Sequence, residues 1–460
     1  MKTWGVAALI GIAAGIVHAL SPATLWFAVA MWALHRYATN GLEADERRWL
    51  VGILAVAVLL RIAAVGTLFA TDPAVWTPSH AQTPFGFFLG DEEFYIRRSI
   101  WLRNVALGIP VHSADLIYAF DDSGWTSHMY VLSFANVLFG PSPYGVHLVG
   151  IAMYLFGAVM LFRLSREAFG RTPALLGLLL VLFLPSLFVW SISALKEPLY
   201  FLMTVSAISL TMTLVRHRNW GVKLLALAGV AAIVATLETI RSAGSVLGGA
   251  GLLFGLIAVW IIRRPKVVVA IAIALPIVIG AALQSPKRQI QVYTAVKLAA
   301  HQHWGHVLTP GWVYTLLDER FYQDVSRLDD LNFQDEARFL VRAFERYVTV
   351  PLPWEVRSTA ALAYLPEQLM WYCMVALLPF GIVYSMRRDA LLTSLLIGVA
   401  AVAVTVIALL SGNVGTLVRL RVLAIPYVAS VSMVGLCELL TRPLRHADVR
   451  AFERAEPSWP

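Results

Sequence analysis

The chain has 460 residues, of which 59% are hydrophobic and 14% charged, against roughly 45–50% and 25% in ordinary soluble domains. So large an apolar excess cannot be buried in a globular core, which excludes a soluble enzyme, a disordered chain and a disulfide scaffold. A formal charge of +8 raises the question of a nucleic-acid partner, and the placement of the charges answers it.

A bilayer core of about 30 Å is crossed by about 20 apolar residues. In chain order such runs fall near 4–20, 22–36, 49–70, 144–164, 173–190, 197–215, 222–238, 245–262, 267–284, 369–386, 391–410 and 420–440. Residues 4–34 as one helix would be about 46 Å long, too long for one upright pass. Ser21-Pro22 supplies a break, so a hairpin is expected there. The fold class is all-α polytopic, with about twelve transmembrane helices, or eleven if the first two merge. The apolar start continues directly into more membrane helix, so no cleaved signal peptide is expected. Cys373 and Cys437 lie in apolar runs and read as packing residues.

Lys and Arg set the orientation. With 36–48 on the cytoplasmic side, alternation puts 163–172, 216–223, 263–266, 387–390 and the tail after 441 there too. These segments hold Arg36, Arg47, Arg48, Arg163, Arg166, Arg171, Arg216, Arg218, Lys223, Arg263, Arg264, Lys266, Arg387, Arg388 and the tail arginines. Every short inner segment is basic, as the positive-inside rule requires. The basic excess is therefore a topology signal, and no nucleic-acid partner is expected. The chain divides into N-terminal spans (1–70), a first outer loop (71–143), central spans (144–284), a large outer loop (285–368), and C-terminal spans with a cytoplasmic tail (369–460).

The densest acidic cluster near a span end is Gly90-Asp91-Glu92-Glu93-Phe94-Tyr95, after a stretch broken by Pro73, Pro78 and Pro84. It leads into Ile96–Leu107, which can form a helix on the membrane interface. A carboxylate held there can accept a proton from an incoming hydroxyl while its neighbour holds a second hydroxyl or a cation. The same triplet also suits an ordinary helix start, where acidic side chains are favoured.

Asp91-Glu92 with Tyr95, in the first large outer loop, resembles the signature of GT-C-type membrane glycosyltransferases, the group of the protein O-mannosyltransferases and the lipid A aminoarabinose transferase. The resemblance continues through Trp125–Gly140, then Phe162-Arg163-Leu164-Ser165-Arg166-Glu167-Ala168-Phe169-Gly170, then Ser193-Ala194-Leu195-Lys196-Glu197-Pro198. It covers roughly residues 85–215. It implies inverting transfer of a sugar from a polyprenyl-phosphate carrier to a lipid, glycan or protein acceptor on the periplasmic face of a bacterial inner membrane. By the same resemblance Asp91 matches the catalytic base, with Glu92 or Glu93 as its partner and Tyr95 as the aromatic that follows. The acidic pair could also require a divalent cation, Mg or Mn.

A departing lipid phosphate needs fixed cations, which act strongly at the low-dielectric membrane boundary. Lys196, Arg241, Arg419 and Arg421 lie in short outer turns, where topology alone discourages basic residues. They are the candidate donor-phosphate ligands, with snorkelling to lipid headgroups or pairing to Glu197 and Glu238 as the alternative. In the 285–368 loop, Trp312, Tyr314, Arg320 and Tyr322 have the composition of a sugar platform, or of an amphipathic helix seated among interfacial aromatics. His301, His303 and His306 have metal-ligand spacing, but no carboxylate or cysteine completes the set nearby, so metal use stays open. Asp335–Tyr347 reads as a helix with Phe339, Val341 or Ala343, and Phe344 inward, and Arg338, Arg342 and Arg346 outward.

Two other readings use the same features. A polysaccharide polymerase or O-antigen ligase would depend on Arg241, Arg320, His301 and Arg419 and not on Asp91. A flippase for lipid-linked oligosaccharides would move its cargo without breaking a bond, but the chain carries no strong internal repeat.

Overall fold

Inside lipid a backbone meets its own hydrogen-bonding needs as a helix, and the named elements of this protein are helical throughout. The computed structural model describes residues 22–72, 90–121, 124–142, 144–309, 311–356 and 359–454, with isolated helical positions between 5 and 15. The first-span expectation at 4–20 and the proline-broken stretch at 73–89 lie largely or wholly outside the described residues.

The chain opens with α1 (Pro22–Thr39) and α2 (Ala44–Thr71), then α3 (Gly90–Ala106), α4 (Ser113–Ala119) and α5 (His128–Phe139). Then come α6 (Gly145–Phe169), α7 (Arg171–Phe183), α8 (Pro185–Ile192), α9 (Glu197–Arg216) and α10 (Trp220–Ile240). A π turn at Val246–Ala250 leads into α11 (Gly251–Ile262), α12 (Pro265–Gln284) and α13 (Pro286–Val307). The rest comprises α14 (Arg320–Gln323), α15 (Phe333–Thr349), α16 (Thr359–Arg388), α17 (Ala390–Leu410), α18 (Val414–Arg421) and α19 (Ile425–Arg454).

Six of these, α2, α6, α9, α10, α16 and α17, are long and apolar enough to cross a membrane. Three bent pairs qualify together: α7 with α8 at 61°, the π turn and α11 with α12 at 111°, and α18 with α19 at 62°. The protein is thus a polytopic α-helical membrane protein, with six to nine candidate crossings among the described residues against the twelve expected. Part of the difference is α1, which falls outside the set that passes on length and hydropathy, while the expected break at Ser21-Pro22 adjoins residues outside the described set. Another part is 245–262 and 267–284, two expected spans that form one bent pair.

The chain folds as two compact units, 1–164 with 178–245, and 165–177 with 246–460. In the first unit Pro185 has no N–H to give to Val181 four residues back, so the helix breaks between α7 and α8. The Tyr154 hydroxyl donates to the Val181 carbonyl at 2.5 Å instead, and Arg61 Nη2 donates to Leu182 at 2.9 Å. Arg61 Nε also reaches Ser191 Oγ at 2.8 Å, beyond the bend. A mid-span arginine is costly in lipid, and here it is wholly buried where the bend leaves carbonyls to satisfy. At the other end of this unit, Arg163 donates to the carbonyls of Tyr37 (2.8 Å) and Asn40 (3.0 Å). Two segments placed on one side by charge alternation therefore touch.

In the second unit α16 and α19 meet through glycines. A Cβ on Gly435 would lie 2.7 Å from the backbone of Gly381 and of Leu377, so only glycine allows this approach. The outer-loop segment is largely helical. On α15 the buried face is Phe339, Ala343 and Tyr347, spaced four apart, with Asp335 and Glu336. Val341 and Phe344 point outward, which corrects the expected inward face: Ala343 is inside and Phe344 is not. Fully buried Arg421 closes the C-terminal end of α15. It donates to the carbonyls of Tyr347 and Val350, and to Gln368 Oε1 at 2.8 Å, beside the rings of Tyr347 and Trp371.

Candidate active site

The acidic motif forms the first turn of α3. Successive helical residues point about 100° apart, so its three carboxylates enter three environments. Asp91 is exposed, at a helix N-terminus whose dipole favours a negative charge. Glu92 is fully buried, and its Oε2 lies 2.9 Å from His147 Nε2, also fully buried, on the first turn of α6. Glu93 forms an i,i+4 ion pair with Arg97. Glu92 and Glu93 thus have named partners with different roles: Glu92 ties α3 to α6, and Glu93 is neutralised on its own helix.

Around this turn the chain is tightly placed. Tyr144 adopts φ 55°, a left-handed conformation costly for an aromatic residue. Its hydroxyl donates to Asp72 Oδ2 at 3.0 Å, and its ring lies 4.9 Å from that of His147. Burial, reinforced by the Asp72 carboxylate, pushes the Tyr144 phenol well above its ordinary pKa, so it acts as a neutral donor. The Tyr95 ring meets His128 edge-on at 6.2 Å. The Arg98 guanidinium stacks on Phe94 at 4.7 Å and donates to the carbonyls of Ala119 (3.3 Å) and Asp121.

The turn between α8 and α9 brings Lys196 and Glu197 to the same region. Gly150 on α6 makes room for it, since a Cβ there would sit 2.8 Å from the Ser193 carbonyl. Arg241, just past the end of α10, reaches Glu197 Oε1 at 3.2 Å, with both side chains mostly buried. His128 Nε2 lies 3.0 Å from the Ala194 carbonyl, which makes it the protonated nitrogen. Asp91, Glu92, Glu93, Tyr95, Lys196 and Arg241 therefore all belong to the first unit, on elements joined by His128 and His147. Neither histidine was picked out from the sequence. His147 carried a usable signal, an ionisable residue near the start of an apolar span; His128 sat unmarked inside the Trp125–Gly140 stretch.

The remaining candidates lie in the second unit. Arg419 is part-exposed on α18, whereas Arg421 is the buried tie described above, its guanidinium directed at protein acceptors. Tyr314 and Tyr322 pack edge-on around His303 at 5.7 and 6.1 Å, with Phe339 at 5.9 Å. Tyr314 donates to the Ser411 carbonyl, and Tyr322 accepts from the Leu316 and Leu317 amides at 2.9 and 3.1 Å. Tyr314 is buried and Tyr322 half-buried against the same histidine, so the two rings pack inward and do not form an open platform. Trp312 remains part-exposed and Arg320 exposed, the latter 3.9 Å from Asp335. Among the described residues no group of three His, Cys, Asp or Glu side chains is placed to hold a metal ion.

His128 and His303 share one electrostatic property. Burial lowers each from the ordinary 6.5 to about 4, against the opposing pull of the Ala194 carbonyl and then Glu197 on His128, and of the Ser411 carbonyl on His303. Lys196 and His306, respectively, push in the same direction as burial. Both stay neutral in the fold but take a proton when unfolded below pH 6.5. Stability is therefore full above pH 6.5 and falls as the pH drops towards 4, by up to about 3 kcal/mol per histidine. Thermal unfolding of the detergent-solubilised protein across pH 4–7 should show that loss. A His128→Gln, His303→Gln double variant should flatten it, and an unchanged slope in that variant would refute the assignment.

The fold and site thus define a multi-span membrane protein with a carboxylate and two cations on neighbouring helix ends. Residues 127–282, under half of the chain, match the profile of a family described as dolichyl-phosphate-mannose-protein mannosyltransferase. The matched stretch includes His128, His147, Lys196, Glu197 and Arg241, and begins after Asp91. The family is of GT-C type, the same group that the acidic motif resembles. Among solved structures the chain is similar to the crystal structure of ArnT from Cupriavidus metallidurans bound to undecaprenyl phosphate. The identity is 15% and the TM-score 0.48, over 84% of this chain and 60% of that one. No curated protein sequence matches the chain.

Proposed function

We propose that the protein is a GT-C-type glycosyltransferase that moves a sugar from a polyprenyl-phosphate carrier to a hydroxyl acceptor, with its active site on the periplasmic face of a bacterial inner membrane. One observation carries this reading: within a single helical turn Glu92 is buried against His147 and Glu93 is paired with Arg97, while Asp91 stays exposed. Lys196 and the Glu197–Arg241 pair belong to the same unit. The family match over residues 127–282 supports the same class.

The chemistry follows from these groups. Asp91 takes the proton of the acceptor hydroxyl as its oxygen attacks the anomeric carbon. The bond from that carbon to the phosphate oxygen breaks, and its electron pair leaves with the polyprenyl phosphate. Lys196 and Arg241 hold the growing phosphate charge at a boundary where low dielectric strengthens the attraction. Attack opposite the leaving group inverts the anomeric centre. Purified protein given undecaprenyl-phosphate-linked sugars and a glycan acceptor is expected to release undecaprenyl phosphate with one inverted sugar added per turnover. Movement of intact lipid across proteoliposomes without bond cleavage would instead favour a transporter, and a long-chain product a polymerase.

A further inference from the structure

The tripeptide Thr126-Ser127-His128, at the start of α5, ties together the two chain segments that carry the cations. Thr126 Oγ1 donates to the Ile240 carbonyl at 2.6 Å, the residue directly before Arg241. The Ser127 amide donates to the Thr239 carbonyl at 2.8 Å, and the Thr239 hydroxyl returns a bond to Ser127 Oγ at 2.8 Å. His128 Nε2 donates to Ala194 at 3.0 Å, two residues before Lys196. The same imidazole meets the Tyr95 ring in a T-shaped contact, four residues along α3 from Asp91. Thr126 and His128 are both buried, so water competes little for these bonds. α9 and α10 pack along each other, and at their cation-bearing ends the Glu197–Arg241 ion pair adds a link whose long side chains have many rotamers, which the short bonds of the tripeptide do not share.

We infer that Thr126-Ser127-His128 is a positioning clamp for the cation pair, holding Lys196 and Arg241 at a fixed separation to receive one anionic phosphate. The inference rests on the reading that these two cations bind the lipid phosphate. His128 acts here as a hydrogen-bond donor of fixed tautomer and touches no reacting atom. A clamp of this kind lets the phosphate bind a preformed site, so that ordering the cations no longer opposes binding.

The test uses full-length protein in nanodiscs, with undecaprenyl phosphate and undecaprenol as paired probes and donor kinetics as a second readout. His128→Phe keeps a ring against Tyr95 but removes the donor. It is expected to weaken undecaprenyl phosphate binding about tenfold, the effect of losing one buried hydrogen bond, while undecaprenol binds as before. The donor KM should rise more than kcat falls. His128→Gln, whose amide nitrogen can reach the position of Nε2, should restore binding to within about threefold, and Thr126→Val should weaken it about fivefold. Wild-type phosphate binding by His128→Phe and Thr126→Val overturns the clamp, as does equal loss of both probes. If Lys196→Ala and Arg241→Ala bind undecaprenyl phosphate as wild type does, the cradle reading itself falls and takes the clamp with it.

Discussion

Asp91→Asn is expected to lower sugar transfer by roughly 10²–10⁴-fold, the range that a positioned general base contributes. The variant keeps the shape of the side chain and a polar group at the start of α3 but cannot accept the hydroxyl proton. Asp91 is exposed, so the thermal midpoint should stay close to that of wild type. That combination, lost turnover with retained stability, separates Asp91 from its neighbour. Glu92 is buried against His147, and its removal would disturb the packing of α3 on α6 as well as any chemistry. The measurement is release of undecaprenyl phosphate from a lipid-linked sugar, alongside a melting curve on the same sample. Undiminished turnover by Asp91→Asn would remove the base from the mechanism.

Arg421→Met should produce the opposite pattern. It deletes the donor to two backbone carbonyls and to Gln368, all buried, and removes a cation from between two aromatic rings. Unsatisfied buried acceptors are expensive, and each lost hydrogen bond to a charged group costs roughly 1.5–3 kcal/mol. The end of α15 should then loosen from α16, where Gln368, Trp371 and Tyr372 also hold the Val348 and Thr349 carbonyls. Limited proteolysis should cut within 311–356 far faster than in wild type, and the melting temperature should fall. If the variant instead melts normally and loses only affinity for lipid phosphate, Arg421 is a ligand for the donor, as its place in an outer turn first suggested.

The two arginines at 241 and 421 illustrate what sequence reading could reach. Both fall where charge alternation along the sequence expects short outer turns, and both break the expected charge pattern, so composition marks them equally. Only the fold distinguishes them. Arg241 pairs with Glu197 next to Lys196, whereas Arg421 is enclosed by protein carbonyls. The aromatic residues of 312–322 give the same lesson. Their composition suits a sugar platform, yet Tyr314 and Tyr322 pack around His303, because a polar segment of this size needs a core of its own.

By itself the sequence determined that the protein is a polytopic helical membrane protein, and it marked one acidic turn within it. Those properties follow from hydropathy, proline breaks and the distribution of arginine, all of which are local or additive along the chain. Tertiary structure alone decided that Glu92 faces His147, that His128 joins the turns before Lys196 and Arg241, and that Pro185 bends a span onto Arg61. Each of these depends on residues tens of positions apart meeting at hydrogen-bonding distance, and no local pattern of residue types encodes such a meeting.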